Sequence, residues 1–76
     1  MEKLVHRIVE ALVDHPKQIA INEIQGEQTS VLEVAVAKED LGKIIGKKGR
    51  TVQAIRTILK ASAAKFKKRT LLEIVE

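Results

Sequence analysis

The residues best suited to chemistry in this 76-residue chain stand together, as Gly46-Lys47-Lys48-Gly49. Ile44 and Ile45 precede them, and Arg50, Val52 and Gln53 open a helical period just beyond. Glycine reaches positive φ and carries no Cβ, so a turn of this kind can reverse the chain sharply and leave its backbone open to close approach. A helix beginning at about Arg50 aims its first amide N–H groups and the positive end of its dipole at that turn. Lys47 and Lys48 add two ammonium groups. The chemistry implied is anion binding: a sugar-phosphate backbone laid across the turn would meet amides, dipole and ammonium groups together. A glycine pair alone is more often a helix cap. Two lysines inside the pair, in a strongly basic segment, favour a ligand.

The charge distribution bears on the same point. Residues 1–37 hold three Lys/Arg and six Asp/Glu; residues 38–69 hold eleven Lys/Arg against Glu39 and Asp40. The formal net charge of +4 therefore arises entirely in the segment that contains the turn. Such asymmetry points to an anionic partner, most often nucleic acid.

Other chemistries fit less well. With no cysteine there is no disulfide framework and no cysteine-based zinc site. His6 lies beside an apolar stripe and His15 precedes Pro16, both as surface or packing residues. No histidine, carboxylate and nucleophile share a spacing that suggests catalysis. The expectation is no enzyme activity, no metal and no cofactor. A Walker phosphate loop fails because Gly42 to Gly46 is one residue short, Lys48 occupies the Ser/Thr position, and a helix precedes. An RNA-recognition motif needs stacking aromatics; Phe66 is the only aromatic and falls on an apolar stripe, which predicts a core role. No apolar run reaches the length of a membrane span, and "MEKLVHRIVE" lacks a signal-peptide core. A soluble, cytoplasmic protein is expected.

The elements that must position the turn follow from periodicity. Leu4, Val5, Ile8, Val9, Leu12 and Val13 recur at helical spacing, and Pro16 stops that helix near Asp14. Ile19 and Ile21, then Leu32, Val34 and Val36, alternate as two strands joined at "QGEQ". Ile24 is out of step with Ile19 and Ile21, which suggests a bulge or an early strand end near Asn22. Asp40 is expected to cap a short helix carrying Leu41, Ile44 and Ile45. Beyond the turn, Val52, Ile55, Leu59, Ala63 and Phe66 form one stripe, with Gln53, Arg56, Thr57 and Lys60 outside it. "TLLEIV" reads as a last strand. The order α-β-β-α-α-β predicts one α+β domain over residues 1–76, a three-stranded sheet with helices on one face.

"IIGKKGRTVQAI" resembles the core of a K-homology (KH) domain, whose hallmark is I-G-x-x-G between two helices. The element order resembles the type II arrangement, and the match runs along essentially the whole chain. At this length, with its "MEKLVHRIVEALVDHP" opening, the chain is similar to the small single-KH bacterial KhpA family. The resemblance implies that Gly46, Lys47, Lys48 and Gly49 clamp the backbone of single-stranded RNA. Ile45 would close the preceding helix beneath the clamp, and Val52 would start the next helix beside an apolar groove for the bases. Arg50 and Gln53 would reach phosphates or base edges. It also implies a homodimer, or a complex with a larger KH-containing partner of the KhpB kind, and a role as RNA chaperone or post-transcriptional regulator affecting cell shape.

Two readings of other classes remain beside this one. A helix-hairpin-helix binder of duplex DNA also sets a glycine turn against phosphates, but its glycines usually stand two apart around an apolar residue. A dimerisation module without its own RNA contacts would have no reason to keep both lysines.

Overall fold

The computed structural model describes residues 1–65 and 67–75. The expected core role of Phe66 lies outside the described residues. The first helix, α1 (Glu2–Leu12), buries Val5 and Val9 one turn apart, with Ile8 and Val13 packed at the edge of the same face. Glu2 in its first turn suits the positive end of the dipole. Val13 turns extended, and a single 3₁₀ turn at Pro16–Gln18 leads into the sheet, so the helix ends two residues before Asp14.

Strands β1 (Ala20–Gln25) and β2 (Thr29–Ala35) pair antiparallel, closed at the tip by the Gly26 amide donating to the Thr29 carbonyl at 2.7 Å. Their register runs unbroken from Ala20↔Ala35 to Gln25↔Ser30. There is thus no bulge at Asn22 and no early end. Ile24 breaks step with Ile19 and Ile21 because it stands on the opposite face of the strand, paired with Val31 and 53% exposed.

A 3₁₀ turn at Lys38–Asp40 runs into α2 (Leu41–Ile45); the turn at Gly46–Gly49 follows, then α3 (Arg50–Ala64) and β3 (Arg69–Ile74). β3 pairs parallel with β2, giving the sheet order β1-β2-β3. A parallel pair needs a crossover of about a dozen residues or more, and α2 and α3 supply it. Leu32 and Val34 of β2 and Leu72 of β3 meet Val5 and Val9 of α1, Ile44 of α2, and Val52, Ile55 and Leu59 of α3 in one core. Fully burying each such side chain contributes about 1.5–3 kcal/mol. The fold is α+β, with a three-stranded sheet and helices packed on one face, as the periodicity predicts.

Candidate nucleic-acid interface

α2 and α3 are both anchored in the core, through Ile44 at one end and Val52 and Ile55 at the other. The four residues between them have little choice of path. Gly46 takes φ 77°, ψ 173°; Lys48 φ 58°, ψ 26°; and Gly49 φ 74°, ψ 13°. Three of the four residues thus lie at positive φ, and the Gly49 amide donates to the Gly46 carbonyl at 3.2 Å.

The two glycines are needed for different reasons. A Cβ on Gly46 would fall 2.6 Å from the Thr51 Cβ and 2.8 Å from its backbone nitrogen, so the first turn of α3 sits directly on this glycine. A Cβ on Gly49 would meet nothing within 4 Å among the described residues. Gly46 lets the chain pack; Gly49 faces open space. Lys48 is the one lysine of the turn in the left-handed region, where Gly or Asn would be less strained. Strain of this kind clusters at functional sites.

Around the turn, Lys47, Lys48, Arg50 and Gln53 are exposed, Ile45, Gly46 and Gly49 half-buried. Val52 is only 7% exposed and belongs to the core, so it fixes the start of α3 from beneath. Among the described residues no side chain caps the N-terminus of α3, whose cap residue is Gly49.

The turn's support comes from an unexpected direction. Asp40 precedes α2 but makes no capping bond to it. Its fully buried carboxylate instead accepts from the backbone N–H groups of Asp14 at 3.1 Å and His15 at 2.9 Å, at the far end of the segment leaving α1. Lys43 on α2 bonds the Asp14 carboxylate and lies 3.5 Å from Asp40. Burial alone would push the Asp40 carboxyl up, but the two amides, with the His15 and Lys43 charges, outweigh it and hold the group below its ordinary 3.8. The hydrogen bond from Lys43 to Asp14 raises the lysine above its ordinary value, against a smaller opposing effect of burial. The two acids and the lysine strap α2, and so the turn, to the end of α1.

A second feature escapes sequence reading. A groove of about 710 Å³ lies between α3 and β3, lined by Ala63, Ala64, Leu71 and Leu72 together with Arg56, Lys60, Lys68 and Arg69, with Thr70 and the carboxylate-bearing Glu73 on its β3 side. Arg56 Nη2 donates to the Leu72 carbonyl at 3.2 Å across it. Arg50, Gln53, Arg56 and Lys60 are spaced three or four apart, so they run as one stripe from the turn to this groove. The i, i+3, i+4 spacing was the available signal; the apposition of β3 was not.

A two-glycine turn carried between the second and third helices of this topology defines a type II KH-like domain. The family model for the KhpA/KhpB KH domain matches residues 2–74, and the chain belongs to that family. It is 53% identical over 75 residues to the RNA-binding protein KhpA of Caldanaerobacter subterraneus, covering 99% of this chain and all of that one. It is 48% identical over 75 residues to the RNA-binding protein KhpA of Clostridium acetobutylicum, again 99% of this chain and all of the relative. The RNA-binding protein KhpA of Chlamydia pneumoniae is 47% identical over 76 residues, all of this chain and 97% of that one. No solved structure matches the chain significantly. Among the described residues, no helix is long and apolar enough to cross a membrane.

Proposed function

We propose that this chain binds single-stranded RNA without catalysis, holding the sugar-phosphate backbone at Gly46-Lys47-Lys48-Gly49. The observation that carries the reading is the turn itself: Gly49 with open space above it, Lys48 held left-handed beside it, and an uncapped helix start behind it. Relatives of nearly equal length are named RNA-binding proteins, which supports the same ligand. Lys47 and Lys48 contact phosphates, Arg50 and Gln53 reach phosphates or base edges, and Ile45 and Val52 hold the two helix ends in place beneath. The strand then follows the Arg56–Lys60 side of α3 into the groove against β3, where Ala64 offers apolar surface for bases.

The affinity of one such domain rests on charge, since aromatic stacking platforms are absent from the stripe. A second copy, or a larger KH-domain partner of the KhpB kind that the family's name pairs with it, would raise it by avidity. The physiological role that fits is that of a cytoplasmic RNA chaperone or post-transcriptional regulator.

The test compares wild type with the Lys47→Asp/Lys48→Asp double variant. Both are titrated against a labelled single-stranded RNA and a duplex DNA of equal length, by fluorescence anisotropy over a salt series, with circular dichroism as the check on folding. The proposal expects single-strand preference in the wild type and its loss in a folded variant. Equal binding by both proteins, or a preference for duplex DNA, overturns it.

A further inference from the structure

The helices cover one face of the sheet; the other carries a pattern of its own. Register partners share a face, so Ile24, Val31 and Leu71 form one row across all three strands, and Asn22, Glu33 and Glu73 form the next. Ala20 and Ala35 pair beyond that, beside Val75, whose amide donates to the Val34 carbonyl. Ile24 is 53% exposed, Leu71 41% and Val75 46%. Two apolar rows therefore flank an acidic one. None of these residues belongs to the turn.

The acidic row is an anomaly of energetics. Glu33 and Glu73 are register partners on neighbouring parallel strands, on the same face, and two carboxylates so placed repel one another. Asn22 donates to Glu33 at 3.1 Å, which orients the carboxylate without neutralising it. Among the described residues neither glutamate forms a salt bridge. Arg69 shares the face, but beyond the Ile24 row, two places along β3 from Leu71. A cation supplied from outside would resolve the repulsion.

We propose that this open face docks a partner protein through an arginine set between apolar side chains. The guanidinium lies over Glu33 and Glu73, where its fork can serve both carboxylates at once. The apolar flanks rest on the Ile24–Val31–Leu71 row and on Ala35 and Val75. Charge selects this occupant. RNA and anionic lipid are repelled by the same glutamates, and a two-fold stacking of two copies would lay the acidic row over itself. Arginine in an apolar setting is a common interface core. Most of the face lies on the other side of the sheet from the helices, and RNA and this partner meet only at the β3 edge, where Leu71 and Glu73 also border the groove.

The probes are two tripeptides, acetyl-Leu-Arg-Leu-amide and acetyl-Leu-Glu-Leu-amide, each titrated into ¹⁵N-labelled full chain and followed by amide shifts. The arginine peptide is expected to move Asn22, Ile24, Val31, Glu33, Leu71 and Glu73, and the glutamate peptide to leave them in place. Glu73→Gln is expected to weaken the arginine peptide roughly two- to fivefold. The same variant, relieved of repulsion, should melt about 1–5 °C higher when free. Absent or misplaced shifts, equal shifts from both peptides, or a lower melting point for Glu73→Gln overturn the proposal. So does sedimentation in which wild type is a dimer and Leu71→Asp a monomer, because the face would then belong to a second copy.

Discussion

Gly46 and Gly49 look interchangeable in the sequence and differ in the fold. Replacing Gly49 by alanine adds a methyl group in open space and costs only left-handed strain, about 1–2 kcal/mol. Replacing Gly46 adds the same strain plus collision with Thr51, whose backbone nitrogen cannot move without disturbing α3. Urea unfolding should therefore rank Gly46→Ala well below Gly49→Ala in midpoint. Lys48 yields the complementary case. Lys48→Gly releases about 1–2 kcal/mol of left-handed strain against about 0.5–1 kcal/mol of added chain entropy. Stability should be unchanged or slightly higher, while affinity for single-stranded RNA falls. A variant that gains stability and loses binding, read by urea melts and anisotropy together, would show that the lysine is kept at the turn for its charge. A lysine whose loss changed stability alone would be a structural residue.

At the scale of elements, the turn depends on where α2 is held, and Asp40 holds it. Its carboxyl sits below 3.8 in the folded chain, so it binds protons less readily folded than unfolded. Its contribution is complete above about pH 4 and is lost as pH falls through the lower, folded value. The melting temperature of wild type should drop more steeply below pH 4 than that of Asp40→Asn, with the two slopes converging above pH 5. Parallel slopes across the whole range would remove the carboxylate from the account. These contacts also mark the limit of what periodicity reveals. The stripe Val52, Ile55, Leu59, Ala63 and the start of α3 at Arg50 were legible because helical spacing is local. Asp40 reads as a cap because its side chain fits that local rule, yet its true partners lie 25 and 26 residues earlier. Ile24 suggests a bulge only if a strand is assumed to have one apolar face; this sheet is partly apolar on both. The parallel pairing of β3 with β2, and with it the groove beside Arg56, depends on a crossover that no single window of sequence contains.

Over the whole molecule, charge and apolar surface are sorted between two sides. The basic turn and the α3 stripe lie with the helices, the Glu33–Glu73 row lies on the bare face of the sheet, and the groove opens at the β3 edge between them, where Glu73 borders it. With three or four phosphates neutralised, log K against log salt should fall with a slope of roughly −2 to −3, at about −0.7 per contact on single strands. A lone domain should bind on the order of micromolar or more weakly. The measurement that reaches the central claim most directly is a titration of ¹⁵N-labelled protein with a short single-stranded oligoribonucleotide, followed amide by amide. Shifts concentrated from Ile45 to Gln53 and continuing through Arg56 and Lys60, with Asn22, Ile24, Val31 and Glu33 of the open sheet face silent, are the predicted result. Shifts centred on the sheet face, or spread evenly over every exposed lysine, would contradict a backbone clamp at Gly46–Gly49.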